Sequence, residues 1–330
     1  MTSTRSLVNA VPGSGRVRDQ IASAVRGLLS GGPNSVPSSR GIGLRGASSS
    51  HETNPYRPGS DITEPAGDPG LFGPDSIAWR VGQDPAALLG GVRALLLQTV
   101  HPLAMAGVAE HSDYRHDPWG RLQRTAQYVA ITTFGSTDAA HRTIDMVKAV
   151  HSRVEGVAPD GRHYSAQDPA LLTWVHTTEI DSFLTAVREY GSIELTDAEA
   201  DQYVAEMAVL GRLMGGTDVP ESVDEISEYY KMMRPALLGS PQARGAARFL
   251  MWPPVPLPIR PAYGVVAAAA VATLPNFVRK ELWLPQTAKL DNLVTKPAGK
   301  LVADILGWSL GDSLMAAAAL ARASAEAPTR

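Results

Sequence analysis

Residues 86–109, AALLGGVRALLLQTVHPLAMAGVA, decide the fold class. This stretch is apolar on nearly every side of a helix, which is typical of a helix buried at the centre of a protein. Pro102 lacks the N–H that would continue a helix, so we expect a break after His101. The stretch therefore predicts a central buried helix that is kinked or broken at His101.

The segments that follow repeat one pattern of helix starts and stops. Asp117–Pro118 and Asp168–Pro169 place an N-cap residue before a proline at the first helical position. Thr196 and Glu199 predict a capping box, and Gly191 follows the last residue of a helix. Alternating patterns typical of strands are nearly absent. The sequence therefore predicts an all-α fold.

The composition of the chain changes near residue 68. Residues 17–29 carry a weak helical apolar stripe, and the stretch after them is rich in Gly, Ser and Pro. Such a segment cannot bury enough apolar surface to offset chain entropy. We therefore expect residues 1–68 to be a flexible tail with a short helix. Residues 69–325 predict one multi-helix domain, with a loop and a short extended piece at 157–167.

The 330 residues carry a net charge of -3 and no cysteine. Disulfides, thiolate metal sites and thiol nucleophiles are thus excluded, and a metal would need ligands such as His, Asp or Glu. The charge gives no reason to expect a nucleic-acid partner. The N-terminal residues lack the apolar run of a signal peptide. The apolar run at 263–274 is shorter than the roughly 20 residues that a bilayer requires. We expect a cytoplasmic protein without a transmembrane segment.

One histidine lies on an apolar helix face. His151 follows Ala140, Ile144 and Val147 at helical spacing, and Val154 comes one turn later. The imidazole is therefore predicted to point inward, where both of its nitrogens need partners. Two interpretations stay open. His151 is either a hydrogen-bonded core histidine or an axial or metal ligand.

The preceding helix carries a polar face beside an apolar stripe. Two arginines and several hydroxyls suit a pocket that binds an anion or an activated oxygen species. The alternative is a solvated face on which the arginine stems cover apolar surface. The residues of this face recur at steps of three and four: Arg121, Arg124, Thr125, Tyr128 and Thr132.

Three further histidines are candidate metal ligands. His176 lies on an apolar face, three residues before Glu179. A His-x-x-Glu pair can chelate a metal, but di-iron bundles use the reverse order on two helices. We therefore expect a packing or supporting role for His176. His101 and His111 could line the mouth of a pocket.

Three stretches together resemble the MpaB-type oxygenase family, which includes the latex-clearing rubber oxygenases. The resemblance covers about Leu71 to Leu306 and is strongest between Gln98 and Gly191. The stretches are QTVHPLAMAGVAEHSDYRHDPWGRLQRTAQYVAITTFG (98–135), VKAVHSRVEG (147–156) and LLTWVHTTEIDSFLTAVREYG (171–191).

The resemblance implies a cofactor and assigns residues to its proximal and distal sides. Characterised members of the family are all-helical and bind one haem b. By resemblance, His151 is the proximal iron ligand, and Arg121, Arg124 and Thr125 lie on the distal side, with Tyr128 among the cofactor-binding candidates. The arginines would stabilise bound dioxygen or anchor a haem propionate, and Thr125 would donate a hydrogen bond. Rubber-cleaving members carry Lys where this chain has Arg124, so a distal lysine ligand and polyisoprene cleavage are not carried over.

The leading hypothesis is thus a haem b-dependent oxygenase or oxidase that uses dioxygen and a small apolar organic substrate. Two other hypotheses stay open. One is a non-catalytic helical protein that binds an apolar ligand in the same cavity. The other is a non-haem iron enzyme that uses His101, His111 or His176 together with a carboxylate.

Overall fold

The computed structural model describes Arg18, Asp19, Ser23 and residues 60–255, 257, 259–311 and 313–326. This part of the chain is helical apart from one hairpin, β1 (Glu155–Val157) and β2 (His163–Ser165). A π-helical turn, Asp291–Thr295, joins the helix Ala288–Leu290 to the helix Lys296–Leu310. The helices are α1 (Ser60–Thr63), α2 (Ile77–Gln83), α3 (Ala87–Gln98), α4 (Pro102–His111), α5 (Pro118–Phe134), α6 (Thr137–His151), α7 (Pro169–Tyr190), α8 (Asp197–Met214), α9 (Val223–Met233), α10 (Pro241–Met251), α11 (Arg260–Ala272), α12 (Asn276–Glu281), α13 (Ala288–Leu290), α14 (Lys296–Leu310) and α15 (Leu314–Ser324).

The predicted break in the central apolar stretch is confirmed. Helices α3 and α4 meet at an angle of 105°. Between them His101 has an extended backbone, and its Nδ1 accepts a hydrogen bond from the N–H of Ala104 at 3.4 Å. His101 is therefore the N-cap of α4, so the side chain satisfies one of the backbone donors that the break exposes.

The centre of the fold is the contact between α3 and α7. Leu89, Leu96 and Leu97 of α3 are fully buried. At Gly90 the two helices approach so closely that a Cβ atom would lie 2.8 Å from the carbonyl oxygen of Ser182. Only glycine fits there without displacing the backbone of α7.

The predicted helix starts are also confirmed. The carboxylates of Asp117 and Asp168 accept hydrogen bonds from backbone N–H groups in the first turns of α5 and α7. Thr196 and Glu199 form the predicted capping box of α8. The all-α prediction is therefore correct, and the extended piece expected near 157–167 is the antiparallel β1–β2 hairpin.

Residues 60–68 contact the helical body. Asp61 pairs with Arg142 at 2.8 Å, and Ile62 is buried beside Trp79. Asp68 accepts a hydrogen bond from the hydroxyl of Thr137 at 2.8 Å. The packed region thus includes nine residues that precede the domain boundary expected from the sequence. Apart from Arg18, Asp19 and Ser23, the remainder of the predicted tail, with the 17–29 stripe and His51, lies outside the described residues.

The apolar run at 263–274 lies mostly in α11, where Ala267, Ala269 and Ala270 are buried. Over the described ranges, no single helix has the length and apolar composition to cross a membrane. Two bent helix pairs reach the required length and apolar composition only when both helices of the pair are counted together. They are α3 with α4, and Ala288–Leu310 with α15.

Candidate functional site

Helices α5 and α6 are joined by Gly135 and Ser136 and contact each other. They have 17 and 15 residues, with Arg121 in the first turn of α5 and His151 at the last position of α6.

His151 is the last residue of α6 and is half-buried. Its Nδ1 atom is fully buried and has no hydrogen-bond partner among the described residues. Burial lowers the pKa of this imidazole and thus favours its neutral form. A hydrogen-bonded core histidine would have its nitrogens satisfied, whereas a neutral imidazole with an unpartnered nitrogen can bind a metal ion.

A cleft of about 110 Å³ lies beside His151. It is formed by the end of α6, the loop after β2, the start of α7 and the end of α8. This volume is below the roughly 300–1,000 Å³ typical of cofactor pockets. The lining is mainly apolar, with one cation: Lys148, His151, Ala166, Gln167, Leu172, Met214 and Gly215.

The inner side of α5 is loosely packed. Its residues 126–130 are all half-buried, and no described side chain from Pro118 to Ala130 is fully buried. Five consecutive helical residues point to all sides of the helix, so every side of this stretch keeps some accessible surface. Glu179 of α7 is also only partly buried, yet the surrounding protein raises its pKa to about 7.

The predicted distal residues occupy different environments. Arg121 is half-buried and donates a hydrogen bond to the Ser112 hydroxyl at 2.8 Å, and burial lowers the pKa of its guanidinium. Arg124 is exposed, with 3.5 Å between its Nη1 and a carboxylate oxygen of Asp117. The exposed Thr125 donates its hydroxyl to the carbonyl of Arg121 at 3.1 Å. No hydrogen bond or ion pair described here joins these residues to His151.

The remainder of the polar face turns into the protein. Tyr128 is half-buried against the main core, and Thr132 is fully buried. The Thr132 hydroxyl donates to the carbonyl oxygen of Tyr128 at 2.8 Å, one turn earlier in the same helix. The predicted face is therefore divided. Arg124 and Thr125 are solvated, as the alternative interpretation expects, while Arg121 and Tyr128 are partly enclosed.

His176 and His111 each have a hydrogen-bond partner in the protein. His176 is buried, hydrogen-bonds to the backbone of Met207 and leaves its Nε2 unpartnered among the described atoms. His111 places Nε2 3.1 Å from both the Glu155 carbonyl oxygen and the Tyr164 hydroxyl. Where the structure describes the chain, no three His, Asp or Glu side chains converge as a metal site.

A polar cluster that was not predicted from the sequence joins α4 to the β1–β2 hairpin. The buried Tyr164 hydroxyl donates to the carboxylate of Glu110 and lies beside His111. Burial, together with the Glu110 carboxylate, raises the pKa of Tyr164 to about 12. The adjacent pair Glu110–His111 is visible in the sequence. Its partner lies 54 residues further on from Glu110, so no local pattern connects them.

Two buried histidines predict an acid-sensitive fold. Burial lowers the pKa of both His101 and His176 from 6.5 to about 4. The unfolded chain then binds more protons between pH 6.5 and 4, so stability falls as the pH falls through this window. Between pH 7 and 5 each histidine should cost the folded state about 2 kcal/mol.

His101→Asn tests this linkage, because Asn keeps the N-cap and removes the titration. We expect the free energy of unfolding, measured by urea denaturation at pH 7 and at pH 5, to fall by about 2 kcal/mol less in the variant than in the wild type. His141→Asn, on an exposed position of α6, is the control and should follow the wild type. Equal losses in all three proteins would contradict the assignment.

Comparison with known proteins identifies one family. Its sequence model is described as the catalytic domain of the ER-bound oxygenase mpaB/B' and rubber oxygenase, and it matches residues 79–303. The match covers about two thirds of the 330 residues and includes the whole of helices α5 and α6. No curated protein and no solved structure matches the chain.

Proposed function

The chain belongs to this family of mpaB and rubber oxygenase catalytic domains, and from that premise we propose a haem b-dependent oxygenase that acts on a small apolar organic molecule. One observation carries the cofactor assignment. His151 lines a mainly apolar cleft, and its buried Nδ1 atom has no hydrogen-bond partner among the described residues. Neutral histidine is a common axial ligand of haem iron.

The residues around His151 suit the cofactor in chemistry. His151 would bind the iron, Leu172 and Met214 would contact the apolar macrocycle, and the cationic Lys148 is a candidate for a propionate. Arg121, which does not line the cleft, is a propionate candidate by the family resemblance alone. The cleft is smaller than a cofactor pocket, so loading requires that the elements around it move apart. Once bound, the haem iron supplies the capacity to bind and activate dioxygen.

Among the three distal candidates, Arg121 is the best placed to act by charge. Its guanidinium is partly desolvated and held by Ser112, and a fixed charge is more effective in a water-poor environment than at the surface. Arginine stays protonated, so Arg121 would orient and stabilise negative charge rather than accept a proton. The exposed Arg124 is screened by water, and Thr125 donates to the helix backbone.

The apolar substrate class is supported by the half-buried apolar residues of α5. Ala126, Val129 and Ala130 contribute small apolar side chains to the half-buried part of this helix. A molecule that binds against these side chains exchanges contacts with water for contacts with apolar groups, which favours a substrate without charge.

The two other hypotheses have less support. A non-catalytic ligand-binding protein would use the same interior, but the chain belongs to a family of oxygenase catalytic domains. A non-haem iron site would need His101, His111 or His176 beside carboxylates. His101 caps α4, and within the described ranges these residues form no cluster of three ligands.

An absorption spectrum of the purified chain, taken before and after reconstitution with hemin, tests the proposal. We expect a Soret band that survives desalting, with about one haem per chain. Failure to retain hemin would contradict the haem assignment. Iron found by elemental analysis without a Soret band would favour the non-haem hypothesis. Retention of an apolar compound by a chain without haem and iron would favour the binding protein.

A further inference from the structure

A second cleft, of about 440 Å³, opens beside α9. Its volume lies within the roughly 300–1,000 Å³ that is typical of small-molecule sites. It shares no lining residue with the cleft beside His151, so it is a separate space. We name it the acidic cleft. Its lining comes from the connection between α8 and α9 and from α9 itself: Asp218, Pro220, Glu225, Glu228, Tyr229, Lys231 and Met232.

The acidic cleft carries more negative than positive charge, because three of its lining residues are acidic and one is basic. Lys231 pairs with Glu228 at 2.6 Å, and both side chains are largely exposed. Glu225 accepts the backbone N–H of Glu221 at 2.8 Å. Neither Glu225 nor Asp218 forms an ion pair with a described residue. Two carboxylates are therefore available to a cation, and the third is held by a weak surface ion pair.

Tyr229 forms part of the wall of the acidic cleft. Only 9% of its surface is exposed, and its ring centre lies 6.4 Å from that of Trp174 and 6.5 Å from that of Tyr230. The Tyr229 hydroxyl has no hydrogen-bond partner among the described residues, and its oxygen is not fully enclosed by protein. Burial raises the pKa of Tyr229, so the hydroxyl keeps its proton. Polar groups of buried side chains are usually hydrogen-bonded, so this hydroxyl indicates a polar atom supplied by a ligand.

The spacing of the carboxylates argues against a metal ion as this ligand. Where the structure describes the chain, no three His, Asp or Glu side chains come together as a metal site. Apolar groups line the same cleft, among them Pro220, the ring of Tyr229 and Met232, which is 66% exposed. An organic cation matches this combination, because its charged groups can pair with separate carboxylates while its carbon chain covers the apolar groups.

We propose that the acidic cleft binds a small aliphatic diamine or polyamine. The ammonium groups pair with the carboxylates of Asp218 and Glu225, and the methylene chain lies against Met232. The Tyr229 hydroxyl oxygen accepts an N–H of the ligand. This binding does not depend on haem, because the acidic cleft shares no residue with the cleft proposed for the cofactor.

Isothermal titration calorimetry of the full chain with 1,5-diaminopentane tests this proposal. We expect one saturable site per chain. Binding of 1-aminopentane, which has the same carbon chain and one ammonium group fewer, should be about fivefold weaker. Asp218→Asn and Glu225→Gln should each weaken binding of the diamine about fivefold, because each removes one ion pair. Lys231→Gln should strengthen it about two- to fivefold, since the ammonium group that competes for Glu228 is removed.

Tyr229→Phe separates a binding role of the hydroxyl from a structural one. The change keeps the ring beside Trp174 and removes the hydroxyl alone. Because this hydroxyl has no partner among the described residues, the Tm measured by circular dichroism should stay close to that of the wild type. Diamine binding should weaken about fivefold. A lower Tm with unchanged binding would show that the hydroxyl stabilises the fold and does not contact the ligand.

Matched controls come from residues that do not line the acidic cleft. Asp224→Asn removes an exposed carboxylate from α9, and Tyr114→Phe removes a tyrosine hydroxyl from the segment before α5. Both should bind the diamine like the wild type. The proposal is overturned if the wild type binds no diamine, if 1-aminopentane binds as tightly, or if the cleft variants bind as the wild type does. Equal losses in Asp224→Asn and Asp218→Asn would also overturn it, because the ligand would then respond only to the overall charge of the chain.

Discussion

His151→Ala is expected to abolish haem retention, leaving no Soret band after hemin reconstitution and desalting. The reason is that His151 lines the cleft and is the proposed protein ligand of the iron, so its removal leaves the iron without that ligand. His151 is half-buried at the last position of α6, so truncation should cost little packing. The helix content, measured by circular dichroism, should stay close to that of the wild type.

Two controls separate ligation from folding. His141→Ala removes an exposed imidazole from the same helix and should retain haem normally. His151→Gly leaves a space in which added imidazole should restore part of the Soret band. Normal haem retention by His151→Ala would show that the iron ligand is another residue, while membership of the oxygenase family would stand unchanged.

The helix boundaries could be predicted because their causes are local. Pro102 breaks the central apolar stretch wherever the rest of the chain lies, and Asp117 and Asp168 cap the helices that begin beside them. The β1–β2 hairpin depends on the pairing of Gly156 with Tyr164 across a loop. Three-residue strands carry too few residues for an alternating pattern, so only an extended piece could be predicted.

The sequence predicted which way the site residues point but not how deeply each of them is buried. Periodicity placed His151 on an inward face, and its Nδ1 is buried. Periodicity also placed Arg121, Arg124 and Thr125 on one face of α5. Position around a helix axis does not determine how far a residue lies from the protein surface. Near the start of α5, Arg121 is half-buried and Arg124 is exposed. The guanidinium of Arg121 is therefore partly enclosed, whereas that of Arg124 is solvated.

Partners that are distant in sequence leave no pattern in either segment. Arg93 lies in the apolar stretch that decides the fold, and its side chain is almost fully buried. Its Nη1 atom lies 2.7 Å from a carboxylate oxygen of Asp181, 88 residues away, and 2.7 Å from the Ser182 hydroxyl. Asp181 also accepts the hydroxyl of Tyr230 at 2.8 Å. The α3–α7 contact therefore encloses an ion pair that sequence periodicity does not predict.

Arg93→Met is expected to lower the free energy of unfolding by about 3–5 kcal/mol. The change keeps an unbranched apolar stem but leaves the largely buried Asp181 without its cation, and the Thr273 carbonyl oxygen loses its donor. Urea denaturation at pH 7 measures the loss. Arg188→Met is the control, because Arg188 pairs with an Asp197 side chain that is 92% exposed, and it should cost less than about 1 kcal/mol.

A double substitution separates the unpaired charge from the lost packing. Asp181→Asn removes the charge and keeps an oxygen that can accept the Tyr230 hydroxyl. Arg93→Met combined with Asp181→Asn should therefore be less destabilised than the sum of the two single variants by about 2 kcal/mol or more. Additive losses would mean that Arg93 stabilises the fold through packing and its bond to Thr273. The ion pair would then contribute no more than the exposed pair formed by Arg188.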